Sequence, residues 1–508
     1  MSNPVLGITN GSDAVSISAK YLTRHGLIAG STGTGKSRAM QTLAEQLADL
    51  DVNVFVSDIK GDASGFCVPG AENKRNIHAP YEPHSIEANY WSVSDRFIPL
   101  RFSLSDAGTI LISRLLSLNP TQESHLSMAF SHARKKNIPL HTFEELLDVL
   151  DVLVKTKARG FSSSSVSVIE RKVVALIDSG LGEMFGKPNI SINDLRGLNV
   201  LNLSDSRKNM AVSIAPAFLL QMLFDKLPEK GDVDKPEYVI FFDEAHYLFK
   251  DSNKSLQDLM VTILKQIRSK GVSVFFVTQD VTDLPDEILS QLSTKIIFSQ
   301  KVFTQKGNRR LKALAKSFPD SELDVLERLK RMPTGVAIVS TLDKSGNQTE
   351  PKEVTMFAPA TTMEVVDDET LLSASDPKLI KKYYSKKAKK AENKRKWEEP
   401  PKEIPAAKTL SQKNTPSKHD RSPDKKPRKK GPSIWDGLFR FLLKLLDFIL
   451  KVIGKIFNFL IFKPLKRYYK WAMKKKIRII WTLLLLLLVY VLFVNWDLVQ
   501  GFLDLLKF

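Results

Sequence analysis

Gly30-Ser31-Thr32-Gly33-Thr34-Gly35-Lys36-Ser37 follows the short apolar run Gly26–Gly30 and opens a segment, Ser37–Asp49, that carries Met40, Leu43, Ala44 and Leu47 on one helical face. The octet satisfies G-x-x-x-x-G-K-[ST] at every constrained position. Glycines let successive backbone N–H groups turn toward phosphate oxygens, and the following helix points its positive end at the same anion. Lys36 supplies a cation for the β- and γ-phosphates, and Ser37 a hydroxyl for Mg2+. A chance glycine-rich turn would lack the strand before it and the helix after it. The whole octet, Gly30, Ser31, Thr32, Gly33, Thr34, Gly35, Lys36 and Ser37, is therefore the expected loop for ATP with Mg2+.

A second motif supplies acids. Tyr238–Phe242 is a wholly apolar run that delivers Asp243 and Glu244 at its end, as a buried parallel strand would. Asp243 is placed to hold Mg2+, largely through water. Glu244 is placed to polarise an attacking water, a task separate from neutralising the metal. The alternative, a surface Asp-Glu pair in a turn, sits poorly with the apolar run before it.

The wider pattern alternates strand and helix. Val52–Val56, Asn199–Leu203, Val272–Val277, Lys295–Phe298 and Val336–Ser340 read as further strands, and Ala211–Asp225 and Leu256–Lys270 as helices. That alternation predicts an α/β fold with a mostly parallel sheet covered on both faces. Residues 104–180 carry a helical pattern throughout, broken by the Ser-rich turn Gly160–Ser165, and read as an inserted helical subdomain. Residues 1–20 read as a lead-in, and 66–100 as loop with short strands.

Other candidates are individually weaker. Gln279 ends the strand after the acidic motif, where a neutral amide would touch the γ-phosphate; an ordinary polar strand end is the alternative. Asp58 ends the second strand in Asp58-Ile59-Lys60-Gly61-Asp62, at the sheet edge where ligands bind in such folds. A solvated loop acid is the competing reading for Asp58, and more so for Asp62. Arg268 would stabilise charge on the transferred phosphoryl group, often from a neighbouring subunit, or simply favour a helix C-terminus. Arg24 and His25 are fainter candidates, and His246 reads as a supporting residue.

RHGLIAGSTGTGKS (Arg24–Ser37), VFVSDIKGD (Val54–Asp62), VIFFDEAHYLF (Val239–Phe249) and IRSKGVSVFFVTQDVTDLPDEIL (Ile267–Leu289) together resemble the HerA-like ATPases, most closely the bacterial YjgR-type branch, over roughly residues 1–360. The resemblance implies a RecA-like fold of the additional-strand, catalytic-glutamate class. It also implies kinship with hexameric DNA pumps of the HerA/FtsK group. Lys36, Ser37, Asp243, Glu244, Gln279 and Asp58 then belong to the nucleotide site, and Arg268 reaches a neighbour's nucleotide. The archaeal HerA proteins carry an N-terminal β-barrel that meets a nuclease partner. About 25 residues precede the first strand here, so that partnership is not carried over.

Charge and composition separate the tail from the rest. The chain has 508 residues and a net charge of +19, of which residues 361–508 hold +18 and the first 360 only +1. A basic whole-chain balance is thus no argument for nucleic-acid binding. Cys67 is the single cysteine, which excludes an intramolecular disulfide and a cysteine-based metal site. A reducing compartment is the simplest setting, and Met1–Lys20 lacks the apolar core of a secretory signal.

Residues 366–433 read as a disordered basic linker: such a composition buries too little surface to offset ordering entropy. In 434–465, Asp436, Arg440, Lys444, Asp447, Lys451 and Lys455 fall on one narrow stripe of an otherwise apolar helix, the pattern of an interfacial helix on lipid or of one packed on protein. Residues 477–496 read as a transmembrane helix, since Ile479–Trp496 has no charge over 18 residues, or about 27 Å of helix. The Lys- and Arg-rich flank before it predicts that the N-terminal bulk stays in the cytoplasm. The sequence thus leads to a membrane-tethered ATPase that translocates DNA, a hexamer as the resemblance implies; the alternative is an ATP-controlled scaffold or switch at the membrane that moves no polymer.

Overall fold

The computed structural model describes residues 3–156, 160–206, 211–250, 253–281, 284–301 and 304–384. Among these, twelve strands form one sheet: β1 (Val5–Ile8), β2 (Ala14–Ser16), β3 (Gly26–Ala29), β4 (Asn53–Asp58), β5 (Ala88–Ser92), β6 (Ile98–Pro99), β7 (Leu198–Asn202), β8 (Tyr238–Phe242), β9 (Val272–Thr278), β10 (Thr294–Phe298), β11 (Val336–Ser340) and β12 (Lys352–Met356). Their order is β2-β1-β12-β11-β10-β3-β9-β8-β4-β7-β5-β6. From β10 to β6 every neighbouring pair is parallel. From β10 back to β2 every pair is antiparallel. The expected mostly parallel α/β sheet is present, and β9 stands between the P-loop strand β3 and the acidic strand β8, as an additional strand should.

The central strands are apolar on both faces because both are covered. Every residue of β8 and β9 is buried. Alternate side chains serve two cores. Val54, Val56, Val239, Phe241, Phe275 and Val277 pack with Ala39, Met40, Leu43 and Leu47 of α1 (Lys36–Asp49). Phe55, Ile240, Phe242, Val274 and Phe276 belong to the opposite core with α6 (Ala211–Lys226). Full burial of each large side chain is favourable by ~1.5–3 kcal/mol, so this two-faced register fixes where the strand ends point.

Among the described residues the insertion forms four α-helices: α2 (Leu104–Leu115), α3 (Pro120–Lys135), α4 (Phe143–Lys155) and α5 (Ser163–Asp178). Capping boxes start two of them, Asn119 with Gln122 and Thr142 with Glu145, satisfying backbone donors that a helix start leaves open. The insertion is tied to the sheet through α8 (Lys254–Gln266), which follows the short α7 (His246–Lys250). Asn253 caps α8 by accepting from Leu256 N and donates through its amide to Arg114 O of α2. The expected helix 256–270 ends at Gln266 and tightens into a 3-10 turn, Ile267–Lys270. Beyond β9 come α9 (Asp286–Leu289), α10 (Gln305–Ala315), α11 (Val325–Arg331) and α12 (Asp368–Ala374).

Two expectations are corrected. Residues 1–20, read as a lead-in, contain the hairpin β1–β2, whose β1 pairs with β12; strands of four and three residues are too short to show a period. The linker does not begin at 366. Leu371, Leu379 and Tyr383 are buried, Tyr383 stacks edge-on against Trp91 with centroids 5.4 Å apart, and its hydroxyl lies 2.9 Å from Asp194 Oδ2. The lysines around these residues hide three buried anchors from a composition-based reading. The remainder of the linker (385–433), the amphipathic helix (434–465) and the transmembrane helix (477–496) lie outside the described residues. Among the described residues, no helix is long and apolar enough to cross a membrane.

Candidate active site

The P-loop is held by three strands at once. Gly30 N donates to Thr278 O of β9, Ser31 N to Ser299 O beyond β10, and Gly335 N, just before β11, to Thr34 O. Glycine is required where the backbone is closest: a Cβ on Gly30 would sit 2.6 Å from Phe298 Cβ and 2.7 Å from Thr34 Oγ1. Gly35, with φ 123°, turns the chain into α1. The N-terminus of α1 has no side-chain cap, so its first N–H groups remain available to an anion. Lys36 is buried and its Nζ donates to Gly30 O at 2.7 Å and Ser31 O at 3.2 Å. Burial, reinforced by Lys60, holds the Lys36 ammonium below its ordinary pKa against Glu244 and Asp243. Ser37 lies half-buried in the first turn of α1.

Asp243 and Glu244 stand where β8 ends, two strands from the P-loop strand. Both are buried. Glu244 has φ 49°, a conformation that costs a non-glycine residue ~1–3 kcal/mol and persists only where its surroundings over-determine it. Those surroundings are specific. Gln279 Nε2 donates to Glu244 Oε1 at 2.6 Å, and Thr32 Oγ1 donates to Gln279 Oε1 at 2.7 Å. Lys60 Nζ forms an ion pair with the same Oε1. His246 Nδ1 lies 3.2 Å from Oε2, which has no aligned donor among the described residues. Against burial, Lys60 and Gln279 hold the Glu244 carboxyl below its usual range. Burial pushes Asp243 up to about 7 against the pull of Lys60, with Glu244, Asp58 and Asp62 adding to the rise.

Asp58 is fully buried and accepts Lys60 N at 3.1 Å, Gly61 N at 2.7 Å and Ala63 N at 3.0 Å. Burial and Asp62 raise it to about 6 against those backbone donors. Carboxylate oxygens of Asp58, Asp62 and Asp243 lie within 4.8 Å of one another. Hard oxygen donors suit Mg2+, and a buried carboxylate raised by its acidic neighbours is a fitting ligand for a dication.

The structure therefore gathers Lys36, Ser37, Asp243, Glu244, Gln279 and the Asp58 loop at one sheet edge. It does not bring Arg268 there. Arg268 precedes β9, whose far end carries Gln279, so the seven residues of β9 separate them by ~20 Å at ~3.3 Å per residue. Its guanidinium is half-exposed and 3.4 Å from Asp232. His25 also lies away from the site: its Nε2 donates to Leu264 O at 2.7 Å while Nδ1 accepts Val274 N at 3.0 Å. Buried and bonded as a neutral ring, it joins β3, α8 and β9. Arg24 precedes β3 at the same end of the strand.

Lys60 is the residue that reading the sequence missed. Its signal was present in the DIKGD stretch, but its meaning depends on β4 lying beside β8 with Ser57 paired to Phe242, a register that no local pattern reveals.

The family model described as helicase HerA-like, C-terminal, matches residues 4–431. The chain is 26% identical to the DNA double-strand break repair helicase HerA of Sulfurisphaera tokodaii, over 76% of this chain and 73% of that protein. It is 23% identical to the protein of the same description from Sulfolobus acidocaldarius, over 74% and 71%. Among solved structures, a bacterial conjugative coupling protein, TrwB, superposes with a TM-score of 0.50 at 14% identity, covering 72% of this chain and 93% of that one; this likeness concerns the fold. With the P-loop, the acidic strand and β9 in their places, the protein is an ATP hydrolase, and it belongs to the HerA-like C-terminal helicase family.

Proposed function

We propose that this ATP hydrolase is an oligomeric, ATP-driven motor that translocates DNA, working beside a membrane. The observation that carries the reading is the chain Thr32–Gln279–Glu244. It runs from the phosphate loop to the candidate base along the end of β9, so a change at the loop is felt at the base and along a central strand. The relatives described as DNA repair helicases support DNA as the polymer. The blocks quoted above support placement in the YjgR-type branch.

Lys36 binds the phosphates, and Ser37 and Asp243 would hold Mg2+ with the Asp58 and Asp62 carboxylates close by. The ion supplies neutralisation of phosphate charge and orientation of the phosphoryl group. Glu244 takes the proton of the attacking water at Oε2, while Oε1 is engaged by Gln279 and Lys60. Arg268, at the opposite sheet edge, serves only a neighbouring subunit's nucleotide, which favours a ring, a hexamer by resemblance. Residues 434–465 and 477–496 anchor the assembly to lipid, with the ATPase domain in the cytoplasm; recovery of the full-length protein in the soluble fraction without detergent would defeat the anchor.

The competing reading, an ATP-controlled membrane scaffold, is favoured by one fact: the first 360 residues carry a net charge of only +1, whereas affinity for DNA depends on cations. Displacement of a third strand from a triplex by the protein and ATP tests translocation. A motor releases the strand only with hydrolysable ATP; a scaffold releases none.

A further inference from the structure

The Asp58–Asp62 stretch is more elaborate than a solvated loop requires. Asp58 is buried at the end of β4 and gathers the N–H groups of Lys60, Gly61 and Ala63. Gly61 has φ 81°, and a Cβ there would approach Ser204 Cβ to 3.2 Å. A buried carboxylate bonded to its own downstream backbone makes a rigid turn. What that turn presents is Lys60, whose ammonium meets Glu244 Oε1 while its side chain stays about one-third exposed.

The Glu244 carboxylate needs such a partner. Its side chain is only 4% exposed, and its backbone sits at φ 49°. Gln279 supplies one neutral hydrogen bond to Oε1, which fixes one contact of a two-oxygen group. The Lys60 pair on the same oxygen completes the clamp and leaves Oε2, buried and 3.2 Å from His246 Nδ1, as the oxygen without an aligned donor among the described residues. A reacting group misplaced by ~1 Å loses on the order of 100-fold in rate, so a clamp on the idle oxygen matters to the working one.

We propose that Lys60 is a positioning residue for ATP hydrolysis, orienting Glu244 through Oε1 so that Oε2 faces the attacking water. The inference rests on the ATP hydrolase assignment and goes beyond it by giving the DIKGD loop a task. It is distinct from a role as a second phosphate-binding lysine, which would act on substrate affinity.

Four full-length proteins test it: wild type, Lys60→Met, Lys60→Arg, and Lys60→Met combined with Glu244→Gln. Lys60→Met is expected to lower kcat on the order of 100-fold while KM and the equilibrium Kd for ATP stay within about threefold, the pattern of an interaction lost from the chemical step alone. Lys60→Arg should recover most of the loss, since a guanidinium also pairs with a carboxylate. Without nucleotide, Lys60→Met should lower Tm, and adding Glu244→Gln should raise it again, because an amide tolerates burial without a cation. A wild-type kcat in Lys60→Met, ATP affinity falling in step with kcat, or Tm losses that simply add would each overturn the proposal. A wild-type protein with no ATP turnover would instead defeat the hydrolase assignment.

Discussion

Gln279 Nε2 donates to Glu244 Oε1 at 2.6 Å, across the boundary between the β9 and β8 strand ends. The same amide accepts from Thr32 Oγ1 of the P-loop, so one side chain joins the phosphate loop to the candidate base. The two ends of this link have different tasks, and substitution should separate them.

Lys36→Ala removes the cation of the phosphate loop. Charge-assisted hydrogen bonds of this kind contribute ~1.5–3 kcal/mol, so ATP affinity should fall ~10–100-fold, read by equilibrium binding. Glu244→Gln leaves that cation in place and removes the proton acceptor. It should bind ATP like the wild type but turn over ~10²–10⁴-fold more slowly. Wild-type turnover by Glu244→Gln would reassign the base.

Arg268 gives a prediction about assembly. Its place at the far end of β9 from Gln279 excludes it from its own chain's site. Arg268→Ala and Lys36→Ala subunits, each inactive alone, should therefore regain ATP turnover when combined in mixed oligomers. Absence of complementation in oligomers shown to contain both would leave Arg268 as a partner of Asp232 only.

Glu45 gives a pH prediction away from the site. It is fully buried on α1 and accepts from Ala360 N, from Thr361 N at 3.2 Å and from Thr361 Oγ1 at 2.9 Å. Burial pushes its pKa from 4.5 to about 7 despite these donors. The folded state thus holds a proton that the unfolded state has released across that window. Stability from this group is full below about 4.5 and is lost as pH rises to about 7. The stability difference between wild type and Glu45→Gln should fall by about 3 kcal/mol over that interval and stay level above it. Denaturant titrations at several pH values measure it; a difference independent of pH would contradict the buried-acid account.

The P-loop and the acidic motif were legible because each is contiguous and each lies between elements that announce themselves: Gly26–Ala29 before the loop, and the five buried residues of β8 before Asp243. Gln279 was legible as a strand end, but its bonds to Thr32 and Glu244 were not, because they join three separate segments. Lys60 was hidden for the same reason. Asp58 was noticed at the sheet edge, yet its oxygens serve its own loop, a use that depends on a turn closing around it. At the antiparallel end, β1 and β2 were too brief to carry a period, and β12 (KEVTM) has an exposed Lys352 beside buried Val354 and Met356, a pattern easily taken for loop. The anchors Leu371, Leu379 and Tyr383 were lost among charged neighbours.

The most direct test of the account is the rate of ATP hydrolysis by the full-length protein with and without linear duplex DNA, with Glu244→Gln as the control for contaminating activity. A motor couples its chemistry to its polymer, so the account predicts a rate that rises several-fold with DNA and falls back as salt weakens DNA binding. An ATPase rate that is substantial, abolished by Glu244→Gln and indifferent to DNA at every salt concentration would contradict it and leave the membrane scaffold as the better description.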